Sequence, residues 1–128
     1  MCAARRTILI VDDEPIVIRI FATMLRLEGY NVLTAADAET GWSIIARTRA
    51  DAVLLDLRMP RVDGLCFLRR LRAHDFGHHT PVAIITGDYF MDDNLSRQMR
   101  ELDAKLYFKP LWLADLIAIV EHLLRTSN

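Results

Sequence analysis

The sequence predicts an α/β fold in which a parallel β-sheet carries helices on both faces. Five short apolar runs alternate along the chain with five longer segments whose apolar residues recur at helical spacing. The first run, at Thr7–Val11, lacks the alternation of a half-exposed strand and so indicates a strand buried on both faces. Four of the runs end in polar residues, and the carboxyl ends of parallel strands share one edge of a sheet. Five strand–helix units joined by right-handed crossovers follow from this pattern.

The first two units are the most regular. After the strand at Thr7–Val11, Pro15 permits a helix to start and Gly29 suits its end. The apolar stripe of this helix comprises Val17, Ile20, Phe21, Met24 and Leu25. The second strand is predicted at residues 31–35, and Asp37 can cap the helix that follows. The inner side of that helix is predicted to carry Trp42, Ile45 and Ala46.

Turn-forming residues separate the third and fourth strands from the helix between them. The third strand is predicted at residues 51–56. After the Met59-Pro60 turn and Gly64, the third helix presents Leu65, Leu68 and Leu71. The fourth strand is predicted at 81–86, because the proline at its start can open it without losing a central ladder hydrogen bond.

The last two helices frame a short fifth strand, predicted at residues 105–108. Asp92 or Asp93 can cap the fourth helix. The apolar residues of the fourth helix are Leu95, Met99 and Leu102. The apolar face of the fifth helix comprises Leu113, Leu116, Ile117, Val120 and Leu124.

The composition indicates one folded domain, residues 1–128, with a core over about residues 7–124. Hydrophobic residues make up 52% and charged residues 26% of the chain, with a net charge of −1, so neither disorder nor a basic nucleic-acid surface is indicated. Cys2 and Cys66 form no C-x-x-C pair, and residues 1–6 lack the apolar stretch of a signal peptide. We therefore expect a reduced, cytoplasmic protein with no membrane span and no output domain in this chain.

Polar residues suited to phosphate chemistry stand at the ends of four predicted strands. They are Asp12 and Asp13, Asp56, Thr86 and Lys109. An isolated Asp-Asp pair favours a turn or a helix cap. A third carboxylate at the same edge changes this interpretation, because close carboxylates repel by about 4 kcal/mol per pair at an effective dielectric of roughly 20. Such a cluster requires a cation or raised pKa values, and oxygen ligands at an open cleft suit Mg²⁺.

Zinc is disfavoured as the metal. The four histidines accompany no cysteine or carboxylate at familiar ligand spacing, and three of them share one loop, where a surface role is expected. They are His74, His78, His79 and His122.

Four segments occur in a characteristic order, ILIVDDEP, LLDLRMPRVDG, PVAIITG and FKP, and an apolar C-terminal helix follows them. With these motifs the chain resembles the receiver domain of two-component response regulators, the CheY-like family, over about residues 7–124. The resemblance implies a flavodoxin-like (βα)₅ sandwich with strand order 2-1-3-4-5. It also implies a phosphorelay switch and no enzyme beyond self-phosphorylation and self-dephosphorylation.

The resemblance assigns a role to each polar residue at the strand ends. Asp56 would accept a phosphoryl group from a sensor histidine kinase, a histidine phosphotransfer protein or acetyl phosphate, forming an acyl phosphate. Thr86 and Lys109 would bind other phosphoryl oxygens. The Lys109–Pro110 peptide would be cis, and the small Gly87 would leave the aspartate open to a donor.

The metal ligands and the partners follow from the same resemblance. Asp12, Asp13 and Asp56, with the backbone carbonyl of Arg58, would hold Mg²⁺. A downstream protein would bind the face formed by the fourth helix, the fifth strand and the fifth helix. Binding to nucleic acid or membrane is not expected, and the resemblance is compatible with a homodimer.

Three positions depart from, or vary within, the family pattern. Receivers commonly carry an aromatic residue three positions before the lysine, where this chain has Leu106. Either a bulge restores Tyr107 to that position, or the coupling between the threonine and an aromatic residue is altered. In addition, we hypothesise that Arg58 and Asp88 form a salt bridge over the cleft that slows hydrolysis of the acyl phosphate.

Two alternatives belong to other functional classes. A haloacid-dehalogenase-like phosphatase also uses aspartate, threonine and lysine around Mg²⁺, but it places its nucleophile in a D-x-D motif on the first strand, where this chain has Asp-Asp-Glu. A receiver that works as a phosphate-independent interaction module is the second alternative, which the departure at Leu106 keeps open.

Overall fold

The computed structural model describes residues 5–57, 63–87 and 93–125. The strands are β1 (Thr7–Val11), β2 (Asn31–Ala35), β3 (Ala52–Leu55), β4 (Val82–Thr86) and β5 (Ala104–Phe108). The helices are α1 (Pro15–Leu27), α2 (Ala38–Thr48), α3 (Gly64–Arg72), α4 (Asp93–Glu101) and α5 (Leu113–Arg125), with a 3₁₀ turn at Asp75–Gly77. All strand pairs are parallel, in the order β2-β1-β3-β4-β5. The predicted doubly wound α/β fold and its strand order are confirmed.

The strand bounds differ from the predicted ones by a residue at most. The largest change is at β3, where both flanking aspartates leave the strand. Asp51 turns aside, and its carboxylate accepts a hydrogen bond from the backbone N–H of Thr7 at 2.7 Å. Asp56 stays in line, and its N–H donates to the carbonyl of Val11 at 2.9 Å. Asp51 therefore links the start of β3 to the start of β1, whereas Asp56 continues the backbone pairing of these two strands.

The sheet separates two hydrophobic layers, as expected for strands buried on both faces. Along β1, Leu9 and Val11 face the layer that α2, α3 and α4 cover, whereas Ile8 and Ile10 face the layer of α1 and α5. Every residue of β3 and β4 is buried. Among the described helices, none combines the length and the apolar character that a membrane crossing requires.

Three predicted inner residues of the helices are wrong: Ile20, Ala46 and Leu113 are exposed. The buried apolar helix positions that hydrophobic spacing missed include Ala22, Ala38, Phe67, Ile119 and Leu123. In α2 the cause is Gly41, because a Cβ atom there would lie 2.9 Å from a methyl of Val11. Close approach at a small residue sets the rotation of the helix, and a pattern of large apolar residues does not contain that information.

The ends of α1 and α2 agree with the predicted signals, whereas Asp92, one predicted cap of α4, lies outside the described residues. The Asp37 carboxylate accepts a hydrogen bond from the Thr40 N–H at 2.7 Å, which confirms the cap of α2. Gly29, just beyond α1, has φ +99°, a conformation that favours glycine. Asp63 caps α3 by accepting from the Cys66 N–H at 3.0 Å, a cap that the sequence analysis missed.

One arginine joins the loops at the amino-terminal edge of the sheet. The Arg72 guanidinium donates to the carbonyl oxygens of Leu102 at 2.8 Å, Gly77 at 2.9 Å and Thr80 at 2.7 Å. Burial lowers the pKa of Arg72 from its ordinary value, and the charge of Asp103 acts in the opposite direction. An arginine remains protonated under such shifts, so the loop after α3 and the turn after α4 share one charged donor.

Replacing Arg72 by methionine should lower the free energy of unfolding by about 3 kcal/mol, because three carbonyls lose a charged hydrogen-bond donor. The exposed Arg47 on α2 offers a matched control, and Arg47→Met should cost less than about 1 kcal/mol. Urea denaturation followed by circular dichroism measures both values. An equal loss for the two variants would show that Arg72 does not join these loops.

Candidate functional site

The predicted site residues meet at the carboxyl edge of the sheet. Asp12 follows β1, Asp56 follows β3, Thr86 ends β4 and Lys109 follows β5. Asp12, Asp56 and Thr86 are 3%, 6% and 1% exposed, and they are all of the buried polar or charged residues in the described ranges. Since buried polar groups are costly unless they are paired, their concentration at one place marks this cleft as the candidate functional site.

Three carboxylates form the floor of the cleft. One oxygen atom from each of Asp12, Asp13 and Asp56 lies within 4.8 Å of the others. Asp12 and Asp56 are buried and Asp13 is half-buried, so the cluster is open on one side. Oxygen donors at such separations fit a hard cation such as Mg²⁺, which keeps water or phosphate oxygens in its other positions.

Lys109 supplies the positive charge next to these carboxylates. Its Nζ atom lies 2.9 Å from Oδ2 of Asp12, 3.2 Å from Oε1 of Glu14 and 3.9 Å from Oδ2 of Asp56. The lysine side chain is largely buried, which strengthens each of these attractions. The lysine therefore offsets part of the repulsion that the sequence analysis predicted.

Two opposing influences act on the pKa of Lys109. Burial would lower it, but the hydrogen bond to Asp12, the charges of Asp12 and Asp56 and the hydrogen bond to Glu14 together raise the pKa above its ordinary value. A lysine with a raised pKa in the folded state stabilises the fold fully below the unfolded value of about 10.4, and the contribution is lost as the pH rises through the folded pKa. At neutral pH the ammonium is charged.

Backbone contacts hold the site residues in place. The Lys109 N–H donates to the carbonyl of Thr86 at 2.8 Å, and the Lys109–Pro110 peptide is cis, in agreement with the resemblance. Oδ1 of Asp12 accepts from the N–H of Glu14 at 2.9 Å, which orients that carboxylate at the start of α1.

Gly64 is a requirement of the site that the sequence analysis treated only as part of a turn. A Cβ atom at Gly64 would lie 2.5 Å from the carbonyl oxygen of Asp56 and 3.0 Å from Cα of Leu57. The Gly64 N–H also donates to the carbonyl of Leu57 at 2.9 Å. The first residue of α3 thus packs directly on the backbone that carries the central carboxylate, and only glycine fits there.

The strand before Lys109 resolves the departure at Leu106. β5 pairs with β4 in continuous register, ending with Phe108 opposite Thr86. No extra residue interrupts this pairing, so the alternative with a bulge is wrong and the alternative without an aromatic residue at this position stands. Leu106 packs on the layer of α2 to α4, whereas Tyr107 packs on the layer of α1 and α5. A leucine therefore occupies the position where the family commonly has its aromatic residue.

Some sequence predictions concern residues elsewhere. Arg58 and Asp88 lie outside the described residues, so the carbonyl ligand and the proposed salt bridge stay predictions. Within the described part of the chain the carboxylate cluster includes no histidine. The His74 ring instead packs 4.8 Å from that of Trp42, and its Nδ1 lies 2.9 Å from the carbonyl of Arg70.

The sequence analysis missed Glu14 as a contact of Lys109. It stands directly after the two aspartates, and its signal was the third acidic residue of the Asp-Asp-Glu run. That residue was interpreted only as a mismatch to the D-x-D motif. Its position at the helix start brings the longer side chain over the lysine.

Comparison with known proteins agrees with this fold. A family model described as the response regulator receiver domain matches residues 8–121. The class that the fold and the site define is therefore a phosphorelay receiver, and the chain belongs to the response regulator receiver domain family.

Similar curated proteins include one from Mycobacterium and one from Mycolicibacterium. Transcriptional regulatory protein PrrA of Mycobacterium leprae is 36% identical over 118 residues, which cover 92% of this chain and 49% of that protein. Response regulator MprA of Mycolicibacterium vanbaalenii is 38% identical over 124 residues, which cover 94% of this chain and 51% of that protein. The chain spans about half the length of the curated relatives it matches.

Solved structures share the whole architecture. A putative response regulator from Chloroflexus aurantiacus has a TM-score of 0.85 at 29% identity, covering 95% of this chain and 99% of that chain. Chemotaxis protein CheY4 of Vibrio cholerae has a TM-score of 0.86 at 23% identity, covering 94% and 99%, and supports the fold alone.

Replacing Lys109 by methionine should tighten Mg²⁺ binding about tenfold, since a cation that competes for the carboxylates is removed. Without metal, the variant should lose about 2 kcal/mol of stability at neutral pH, because the buried carboxylates lose their counter-charge. Calorimetric titration and thermal unfolding measure the two effects. Lys105→Met, at the exposed lysine of β5, is the control and should change neither. Weaker Mg²⁺ binding in the Lys109 variant would rule out competition.

Proposed function

We propose that Asp56 is the phosphoacceptor of this receiver domain and that its phosphorylation switches the domain between inactive and active conformations. The observation that carries the proposal is the position of the buried Asp56 carboxylate, beside two further aspartates and 3.9 Å from the Lys109 ammonium. A nucleophilic carboxylate next to cationic groups is suited to attack phosphorus, where positioning and charge stabilisation supply most of the catalysis.

Transfer of the phosphoryl group to Asp56 forms one bond to phosphorus and breaks another. An Asp56 carboxylate oxygen bonds to phosphorus as the P–N bond of a phosphohistidine breaks and the imidazole leaves with the bonding electron pair. With acetyl phosphate, the P–O bond breaks and acetate leaves. Mg²⁺ held by Asp12, Asp13 and Asp56, with the Arg58 carbonyl, would supply charge that offsets the negative charge of the transferred oxygens. Water later hydrolyses the acyl phosphate and restores Asp56.

Thr86 and Lys109 are the proposed sensors of the phosphoryl group. The Thr86 hydroxyl can donate a hydrogen bond to one phosphoryl oxygen, and the Lys109 ammonium can pair with another. The backbone hydrogen bond from Lys109 to Thr86 fixes the two residues relative to each other, so both can contact the same phosphoryl group. We propose that phosphorylation alters the conformation of α4, β5 and α5. On the α4 side, Leu106 would take the part that an aromatic residue commonly has in the family.

Asp56→Asn should abolish phosphorylation by acetyl phosphate and Mg²⁺, because an amide oxygen is a poor nucleophile for this transfer. Intact-protein mass spectrometry should detect one added phosphoryl group on the unsubstituted chain and on the control Asp75→Asn, whose exposed side chain lies on the 3₁₀ turn. An unsubstituted chain that gains no phosphoryl mass would instead favour the phosphate-independent interaction module.

Exposed apolar side chains that follow the cleft residues in the sequence support a protein donor. Ile16 at the start of α1 is 69% exposed and Trp112 before α5 is 79% exposed, while Ile20 is one turn from Ile16 and also exposed. Ile16 follows Asp12 by four residues and Trp112 follows Lys109 by three. Large exposed apolar side chains suit an interaction site. We propose that these three side chains contact the phosphohistidine-bearing domain of a histidine kinase or phosphotransfer protein.

Replacing Ile16 and Ile20 together by glutamine should lower kcat/KM for transfer from a phosphorylated histidine kinase about tenfold, through lost apolar contact with the donor. The rate with acetyl phosphate should not change, because a small donor needs no docking surface. Leu27→Gln is the control, since Leu27 is exposed at the far end of the same helix. A parallel loss with both donors would place the defect in the cleft and contradict the docking role.

The relatives named as transcriptional regulators suggest the downstream step. Their matched regions cover about half of their length, so the remainder of each protein has room for a further domain. We propose that phosphorylation here controls an output domain or a separate protein through the face formed by α4, β5 and α5. No catalytic activity beyond phosphorylation and dephosphorylation of Asp56 is proposed, and the setting is cytoplasmic.

A further inference from the structure

Glu14 is a fourth carboxylate at the rim of the cleft, and the proposed transfer gives it no role. It stands between Asp13 and the first residue of α1, with its side chain 60% exposed. Its Oε1 atom accepts a hydrogen bond from Nζ of Lys109 at 3.2 Å. Its backbone N–H also donates to Asp12, so the position of Glu14 is tied to the floor of the cleft.

The two described side-chain hydrogen bonds of Lys109 lie on one side of the cleft. Its ammonium hydrogen-bonds to Asp12 at 2.9 Å and to Glu14 at 3.2 Å, both on the side of β1 and α1. The distance to Asp56 is 3.9 Å, beyond hydrogen-bonding range. A phosphoryl group on Asp56 would therefore compete with the Glu14 carboxylate for the lysine.

The charge of Glu14 has opposite consequences for the two reactants of the site. With Asp12, Asp13 and Asp56 it makes four carboxylates around one ammonium. An additional negative charge attracts a divalent cation and repels an anionic phosphodonor. A residue that merely supported the fold would not move these two affinities in opposite directions.

We propose that Glu14 is a positioning residue that competes with the incoming phosphoryl group for Lys109 and thereby restrains phosphorylation of Asp56. The inference rests on the proposed function of Asp56. In addition, it states that the length and charge of the Glu14 side chain set how fast anionic donors phosphorylate Asp56.

Two substitutions separate reach from charge. Glu14→Gln removes the charge, so phosphorylation by acetyl phosphate at saturating Mg²⁺ should be about threefold to tenfold faster, and Mg²⁺ affinity should fall about threefold. Glu14→Asp keeps the charge but is one methylene shorter, so it should lose the hydrogen bond to Lys109. We expect it to accelerate phosphorylation about twofold while Mg²⁺ affinity stays unchanged.

The control is Glu28→Gln, which removes the same charge just beyond the opposite end of α1 and should change neither quantity. Rates come from mass spectrometry of the phosphorylated chain, Mg²⁺ affinities from calorimetry, and thermal unfolding checks that each variant is folded. A Glu14→Asp rate equal to that of the unsubstituted chain would overturn the proposal, because charge alone would then act. A Glu14→Gln rate that is unchanged or slower would also overturn it.

These outcomes are distinct from failure of the proposed function. If the unsubstituted chain takes up no phosphoryl group on Asp56, the proposed function fails and the role of Glu14 falls with it. If Asp56 is phosphorylated but the Glu14 variants, like Glu28→Gln, leave the phosphorylation rate unchanged, the proposed function stands and only the inference about Glu14 is overturned.

Discussion

The structure depends on the burial of like charges against one ammonium. Asp12 and Asp56 are almost inaccessible to water, and Asp13 is close to both. Their mutual repulsion would oppose folding if Lys109 were not held 2.9 Å from the nearest carboxylate. That placement in turn requires the strand order, because the lysine follows β5 at one edge of the sheet while Asp12 follows β1 near the other. The fold and the charge balance of the cleft therefore cannot be varied independently.

Small residues provide the precision that this charge cluster needs. Gly64 lets the start of α3 rest on the carbonyl of Asp56, and Gly41 lets α2 approach the side chain of Val11, one residue before Asp12. A Cβ atom at Gly64 would overlap backbone, and one at Gly41 would force the Val11 side chain to shift, so each glycine fixes the position of a carboxylate-bearing strand end relative to a helix. The apolar layers supply most of the stabilisation, whereas these glycines determine where the charges stand.

Much of this arrangement could be predicted from the sequence because strand burial and strand-end chemistry leave local signals. The apolar runs located β1 and β2 to the residue, and the polar residues at the ends of β1, β3, β4 and β5 indicated the cleft. Helix rotation was less predictable, since it follows from close contacts such as that of Gly41 and not from hydrophobic spacing. Glu14 and Leu106 depend on long-range geometry: the first on a contact with a residue 95 positions away, the second on the register of β5.

The bond from the Lys109 N–H to the Thr86 carbonyl has a mechanical consequence. This hydrogen bond joins the ends of β4 and β5 beside the cleft. A movement of the Thr86 or Lys109 side chain would therefore move the ends of both strands. Beyond it, β5 is the outermost strand in the sheet order, with Phe108 and Trp112 exposed on either side of Lys109 and Pro110. A displacement of Lys109 would thus pass along the backbone to exposed side chains at the molecular surface.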